Sequence, residues 1–292
     1  MKKKRRNEFR KALRDVKNLP TLPGIVTKLT RMAEDPDTST EQMGKVIGRD
    51  HILTAKLLRL VNSAFYGFPQ TISSLNSAII ILGFNVVKSL IVSASIFEIM
   101  EEQDLELWEH SLGCAVVCNM LARRLGVNEP EEISTAGLIH DIGKVAVKME
   151  LPREHDRITR MVQDEAISRR EAEHKILGLD HAEAGAWLAA SWNLPARLVE
   201  PIACHHDPRL AKDEQLASSI VHFSDIFIRG LGYCHGDDKW VPPLSSRAWR
   251  LLDLSPADID AMLEEVEEKL WDVKGFSLEI RSEIEGEEED PG

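Results

Sequence analysis

Apolar residues recur along this chain at three- and four-residue steps, the period of a buried helical face, and no segment alternates as a half-buried strand would. The pattern predicts an all-α protein. Around Leu19, Leu22, Ile25, Val26 and Leu29 it is broken by Pro20 and Pro23, so the first helix is expected to begin near Pro23, with proline in its first turn. Thr40-Glu41-Gln42-Met43 opens a second helix and Asp50-His51-Ile52-Leu53 a third, which carries Leu53, Leu57, Leu58 and Val61 on one side and ends at Gly67-Phe68-Pro69. Ser74 and Asn76 precede a short helix that stops at Gly83, and Asn85 is placed to cap Val86 to Met100. That makes about five short helices before residue 103.

The polar stretch Glu101-Glu102-Gln103-Asp104 is the best internal boundary. Beyond it a long helix is expected from Leu105 to Leu125, closed by Gly126. The next runs from Glu131 to Asp141, its end loosened by Gly143. Asp180, with Glu183 three residues on, reads as a capping box for His181 to Trp192. Pro195 sits in the first turn of a helix that runs to His206 and is stopped by Asp207-Pro208. Gln215 to Gly230 and Ser255-Pro256 to Leu270 complete the series. The organisation predicted is a basic tail and leading helix (1–17), an N-terminal helical lobe (18–103), a second helical lobe (104–231), a helical extension (232–275) and an acidic tail (276–292).

Composition narrows the class. Hydrophobic residues at 43% and charged residues at 29% are ordinary for a globular chain, and 292 residues supply ample core. A formal net charge of -12 argues against binding a nucleic-acid duplex, and Lys2 to Arg6 and Glu285 to Asp290 read as solvated tails. The longest apolar run, Ala78 to Met100, is interrupted by Asn85, Lys88 and Glu98, so no membrane span is expected. The basic start leads into no signal-peptide core, and Cys114, Cys118, Cys204 and Cys234 form no CxxC pair, so a cytoplasmic location is expected.

The candidate chemistry lies between residues 110 and 225. In chain order come His110, His140-Asp141, His181, His205-His206 and Asp225, all of them ligand types for iron, manganese or zinc. His140 and Asp141 are flanked by Leu138, Ile139 and Ile142, and Asp225 by Ile220, Val221, Phe223, Ile226 and Phe227. Ionisable groups beside core need a compensating partner, and a cation would serve all of them. The bland alternatives are a helix end salt-bridged by Lys144, a core imidazole at His110, and a helix-dipole role for His205 and His206. Glu106, four residues before His110, is either a co-ligand on the same face or a solvent-facing acid. Cys114 and Cys118 continue the His110 stripe and read as small buried core residues; His222 is either a fallback partner for Asp225 or a group standing behind the ligands. His51, His155, His174 and His235 read as surface.

This order of motifs resembles the HD superfamily of metal-dependent phosphohydrolases, whose dipeptide stands here as His140-Asp141. The resemblance implies a first metal at His110, His140, Asp141 and Asp225 and a second at His181 and His205 with His206. It further implies that Asp141 bridges the two and that Lys144 contacts substrate phosphate. Glu106 is similar to the extra carboxylate of members that hold a further ion. In the N-terminal half, Leu19-Pro20-Thr21-Leu22-Pro23, the run Leu53 to Gly67 and Ile72-Ser73-Ser74-Leu75 resemble the HDOD domain, a bacterial signalling relative with a two-lobed helical fold. HDOD proteins commonly lack much of the ligand set, which this chain keeps; Asp207-Pro208-Arg209-Leu210 stands where cyclic-di-GMP phosphodiesterases of the superfamily carry a Gly-Tyr-Pro loop.

Two function classes follow. One is a hydrolase with two divalent ions, iron or manganese, acting on a nucleotide or other phosphate-containing small molecule. The other is a non-catalytic regulatory module that binds a signalling protein, its metal site structural or a sensor. A redox or oxygen sensor built on a di-iron site is a third possibility.

Overall fold

A computed structural model describes residues 9, 28, 32, 38–48, 54, 57, 58, 61, 62, 71–83, 86, 87, 105–233 and 240–270. Among them every regular element is helical and there is no strand, the all-α class that the periodicity predicts. No described helix is long and apolar enough to cross a membrane.

In the N-terminal part α1 spans Thr40–Ile47 and α2 spans Leu75–Leu82, and the two pack together. Ser39 caps α1 through a reciprocal capping box with Gln42, and Ser74 caps α2. Asn76 therefore lies inside α2, not before it. Leu57 and Val61 of the predicted stripe are fully buried. Asn62 binds the stretch before α2 at two points, receiving Ile72 N–H at 2.7 Å and donating to Ile72 O at 2.8 Å. The expected helix near Pro23, the Gly67-Phe68-Pro69 end and the boundary at 101–104 lie outside the described residues.

The remaining helices form one packed succession. They are α3 Leu105–Arg124, α4 Pro130–Ile139, α5 Ile142–Glu150, α6 Pro152–Glu165, α7 Arg169–Ile176, α8 His181–Ser191, α9 Ala196–Cys204, α10 Gln215–Gly230 and α11 Ser246–Leu252. A last helix, α12, covers 256–270. At 20 residues α3 is about 30 Å long and packs against both α4 and α10. It ends as expected, with Gly126 at a φ of 64°. Four helices have no counterpart in the sequence reading: α5, α6, α7 and α11.

Gly143 corrects another expectation. The helix before it ends at Ile139, and Gly143 lies inside the next one, α5. Its role is close approach: a Cβ there would stand 1.9 Å from the His181 carbonyl oxygen and 2.7 Å from Gly185 N. The facing helix α8 is built for this contact, burying Ala182, Ala184, Gly185, Ala186 and Ala189. On the other side α4 closes on α3 at Gly137, where a Cβ would meet Cys118 Sγ at 2.6 Å, and Ser134 Oγ donates to Ala115 O at 2.9 Å. Small residues thus bring two pairs of helices, α5 with α8 and α3 with α4, to close contact around the His140-Asp141 junction.

Gly143→Ala should cost about 3 kcal/mol, the upper range for overpacking, because backbone and not a movable side chain is struck. Gly126→Ala, strained only by its φ, should cost about 1 kcal/mol. Urea unfolding of both variants measures the difference, and equal losses would refute the close-contact argument.

Candidate metal centre

The centre assembles where helices end. His140 is the C-cap of α4 and Asp141 the N-cap of α5, so a two-residue joint holds both side chains at the meeting of α3, α4, α5 and α8. His205 is the C-cap of α9, and His181 opens α8 behind Asp180, which accepts from Glu183 N–H at 3.0 Å. His110 comes from the second turn of α3 and Asp225 from the middle of α10. His110, His140, Asp141, His181, His205 and Asp225 are all at most 1% exposed.

The imidazoles are oriented by what their Nδ1 atoms bind. His110 Nδ1 lies 2.9 Å from Tyr233 O, His140 Nδ1 2.7 Å from Gly137 O, and His205 Nδ1 2.8 Å from Ile202 O. A carbonyl only accepts, so each Nδ1 carries the hydrogen and each Nε2 presents a lone pair. His181 Nδ1 donates to Glu173 Oε2 at 2.7 Å, and the same oxygen receives His181 N–H at 2.9 Å. Glu173 is itself buried and faces buried Arg169 at 3.5 Å.

Every Nε2 is thereby turned inward onto Asp141 and Asp225. Asp141 Oδ2 lies 3.4 Å from His140 Nε2 and 3.7 Å from His110 Nε2, while Asp141 Oδ1 lies 3.1 Å from His181 Nε2 and 3.8 Å from His205 Nε2. Asp225 Oδ1 lies 3.1 Å from His110 Nε2 and 3.9 Å from His140 Nε2. Half-buried His206 completes one side, its Nε2 2.8 Å from His181 Nε2. Two cations share the pocket: Lys144 Nζ is 2.7 Å from Asp141 Oδ2 and Arg229 Nε is 2.6 Å from Asp225 Oδ1.

Those cations leave part of the cluster uncompensated. Asp141 has Lys144 and His181 beside its two oxygens, but His140 Nε2 and His205 Nε2 are buried without a hydrogen bond. Each such orphan costs on the order of 1–3 kcal/mol, and a divalent ion among these imidazole and carboxylate donors would relieve the cost, so the residues fit a metal. Three overlapping groups have ligand atoms within 4.8 Å of one another: His110, Cys114, His140 and Asp225; His140, Asp141 and His205; and His181, His205 and His206.

The charge states agree with that environment. Burial, with His140 next, pushes the His205 imidazole down to about 3, and burial likewise lowers His110 and His206. Burial opposes the charge on His181 too, but Glu173 and Asp141 outweigh it and raise the group to about 9. Burial also works against the carboxylates. The surrounding positive groups, His140, Lys144 and His181 at Asp141 and Arg229 and His110 at Asp225, nevertheless hold both well below the usual carboxylate range.

Of the two readings of Glu106, its position matches the solvent-facing acid: it is exposed in the first turn of α3 and belongs to none of the three groups. His222 does not pair with Asp225 either: its Nδ1 donates to His205 O at 2.6 Å and its Nε2 accepts from Ser245 N–H at 3.0 Å. Sequence reasoning missed Glu173, Arg229 and the approach of Cys114. Glu173 shares a helical face with apolar Ile176 and Leu177, and Arg229 stands one turn after Asp225; both spacings were available as signals.

Residues 19–208 match the family described as HDOD domain. An uncharacterized protein of Treponema pallidum is 27% identical over 221 residues, 74% of this chain and 43% of that protein. Ribonuclease Y of Pelobacter propionicus is 29% identical over 101 residues, 35% of this chain and 14% of that enzyme. The chain therefore spans less than half the length of these curated relatives. An HDOD domain protein of unknown function from Geobacter sulfurreducens superposes with a TM-score of 0.71 at 26% identity, covering 94% of this chain and 97% of that one. A Shewanella amazonensis SB2B protein, provisionally named a phosphohydrolase, superposes with a TM-score of 0.68 at 24% identity over 91% and 97% of the two chains, a likeness of fold alone.

The depressed imidazoles set a pH dependence for chelator-treated protein. An unfolded histidine takes up its proton near pH 6.5, whereas folded His205 does so only near 3. The unfolded state therefore binds more protons in that window, and stability is lost as pH falls from about 6.5 toward 3. His181 works with the opposite sign: its contribution is whole below 6.5 and is lost only as pH rises through about 9. Urea melts at pH 6.5, 5.5 and 4.5, where the His181 contribution is whole, should show decreasing stability; no change across that range would contradict neutral buried imidazoles.

Proposed function

The chain belongs to the HDOD family, and from that premise we propose that it is a metal-dependent phosphohydrolase acting on a phosphoester of a small molecule such as a nucleotide. The observation that carries the proposal is the two-sidedness of Asp141. Its Oδ2 faces His110 and His140, and its Oδ1 faces His181 and His205. A carboxylate so placed suits a bridge between two divalent ions, iron or manganese. His110, His140 and Asp225 would hold one, and His181, His205 and His206 the other. Such ions, when bound, supply a water of lowered pKa and polarise a phosphoryl oxygen.

The chain's own residues supply the rest. Lys144 places an ammonium 2.7 Å from Asp141 Oδ2, beside the shared carboxylate, where it would neutralise charge developing on a phosphoryl oxygen. Glu173 keeps His181 in the orientation that presents Nε2. His206, half-buried, marks the edge from which a substrate would approach.

A second reading, a regulatory module with a structural or sensing ion, is favoured by one observation: Lys144 is only 2% exposed, as enclosed as the ligand set around it. Metal analysis of anaerobically purified protein, combined with a broad phosphoester panel, separates the two. The hydrolase should hold at least one ion per chain and turn over a member of the panel. His140→Ala should abolish turnover, and Lys144→Ala should lower kcat by about 100-fold to 1000-fold while retaining the ion. Metal-replete protein that hydrolyses nothing on the panel would establish the regulatory reading; less than one ion per chain would defeat both.

A further inference from the structure

Two buried thiols lie one turn apart on α3, and they meet different surroundings. Cys118 Sγ donates to Ser224 Oγ at 3.3 Å, an ordinary core hydrogen bond. Cys114 Sγ lies 3.5 Å from His110 Nε2, the atom whose lone pair faces the cluster. We infer that Cys114 supplies a thiolate ligand to the ion held by His110, His140 and Asp225. This inference rests on the metal-centre reading above and adds a sulfur donor to a set otherwise made of nitrogen and oxygen.

The ligand spacing supports it. Around a tetrahedral ion with a metal–sulfur bond of about 2.3 Å and a metal–nitrogen bond of about 2.0 Å, sulfur and nitrogen stand roughly 3.5 Å apart. The observed separation of Cys114 Sγ from His110 Nε2 is 3.5 Å. A nitrogen–oxygen edge of the same tetrahedron is roughly 3.3 Å, and His110 Nε2 is 3.1 Å from Asp225 Oδ1. The edge from His140 Nε2 to Asp225 Oδ1 is longer, 3.9 Å, so His140 is the ligand that must close inward.

A second observation points to the same ion. His140 Nε2 is fully buried and makes no hydrogen bond, while its Nδ1 is fixed on Gly137 O, so its lone pair is aimed into the space that Cys114 borders. A thiol donating to His110 accounts for one contact and leaves that imidazole uncompensated. Without an ion, burial and the neighbouring Asp225 keep Cys114 as the thiol. On binding, the S–H bond breaks, a sulfur–metal bond forms and the proton leaves to bulk water. A thiolate in the set favours iron(II) or zinc over manganese at this position.

Cobalt(II) reconstitution of the chelator-treated full chain tests the inference. Wild type should show an intense near-ultraviolet thiolate-to-cobalt charge-transfer band. Cys114→Ser should lose it and, in competition with a chromophoric chelator, lose more than about 100-fold in cobalt affinity, beyond the cost of removing an outer partner. Cys118→Ser should keep both. Should Cys114→Ser fail to fold, a chain in which Cys118, Cys204 and Cys234 are all serine should retain the band on Cys114 alone. Cobalt bound without the band, or a band that survives in Cys114→Ser or vanishes from the Cys114-only chain, overturns thiolate ligation and leaves the histidine-aspartate centre standing. Failure of wild type to bind cobalt overturns the centre and the inference with it.

Discussion

Four hydrogen bonds made outside the cluster determine what the cluster can do. The Nδ1–H groups of His110, His140 and His205 are spent on the carbonyls of Tyr233, Gly137 and Ile202, and that of His181 on the Glu173 carboxylate. With the outer nitrogen fixed as donor, the inner nitrogen of a neutral ring has only a lone pair to offer, and His181, held cationic by Glu173 and Asp141, must release its Nε2 hydrogen before it can ligate. Two of these bonds also serve the backbone. Gly137 and Ile202 lie in the last turns of α4 and α9, where carbonyls lack an intrahelical donor, so the ring that orients a candidate ligand also satisfies a helix terminus. Breaking either bond would free the ring and orphan a buried carbonyl together.

Convergence of the rings also demands helices that approach closely. An α5–α8 contact at backbone distance leaves no volume for a side chain at Gly143, and it is this contact that sets His181 opposite Asp141 Oδ1 at 3.1 Å. The alanine-rich face of α8 contributes little hydrophobic area per residue but permits the approach, a trade of burial for geometry. The neighbouring α3–α4 contact at Gly137 does the same for His110 and His140.

The sequence exposed the inner residues better than what supports them. His140, Asp141 and Asp225 stood out because polar groups interrupt apolar stripes, an anomaly visible without coordinates. Glu173 was hidden by its context: Arg169-Arg170-Glu171-Ala172-Glu173-His174-Lys175 reads as a solvated run, and only the fold shows Arg169 and Glu173 buried against each other. The same polarity concealed α6 and α7, whose apolar positions are few, Ile158 and Val162 being the buried ones of α6. Cys114 was hidden in the opposite way, since a thiol on an apolar stripe is indistinguishable from core until its sulfur is placed beside His110. Gly143 was legible as a glycine but not as a contact, because close approach depends on a helix about forty residues away in sequence.

The two cations beside the carboxylates constrain the chemistry further. Lys144 and Arg229 already offset the charges of Asp141 and Asp225, at 2.7 and 2.6 Å, so what an ion would relieve is chiefly the uncompensated imidazoles. Each divalent ion added to a carboxylate set already so balanced leaves the pocket positive, and burying excess charge is costly unless an anion accompanies it. Ion and anion would then bind in support of one another, with hydroxide or a phosphoryl group as the natural counter-charge. Lys144 and the ligands other than His206 are enclosed, and His206, partly buried, is the member of the set nearest solvent. Lys144 is 2% exposed, so a nucleotide would reach it only after enclosing side chains move, and the hydrolase and regulatory readings divide on access to the cluster as much as on the donors present.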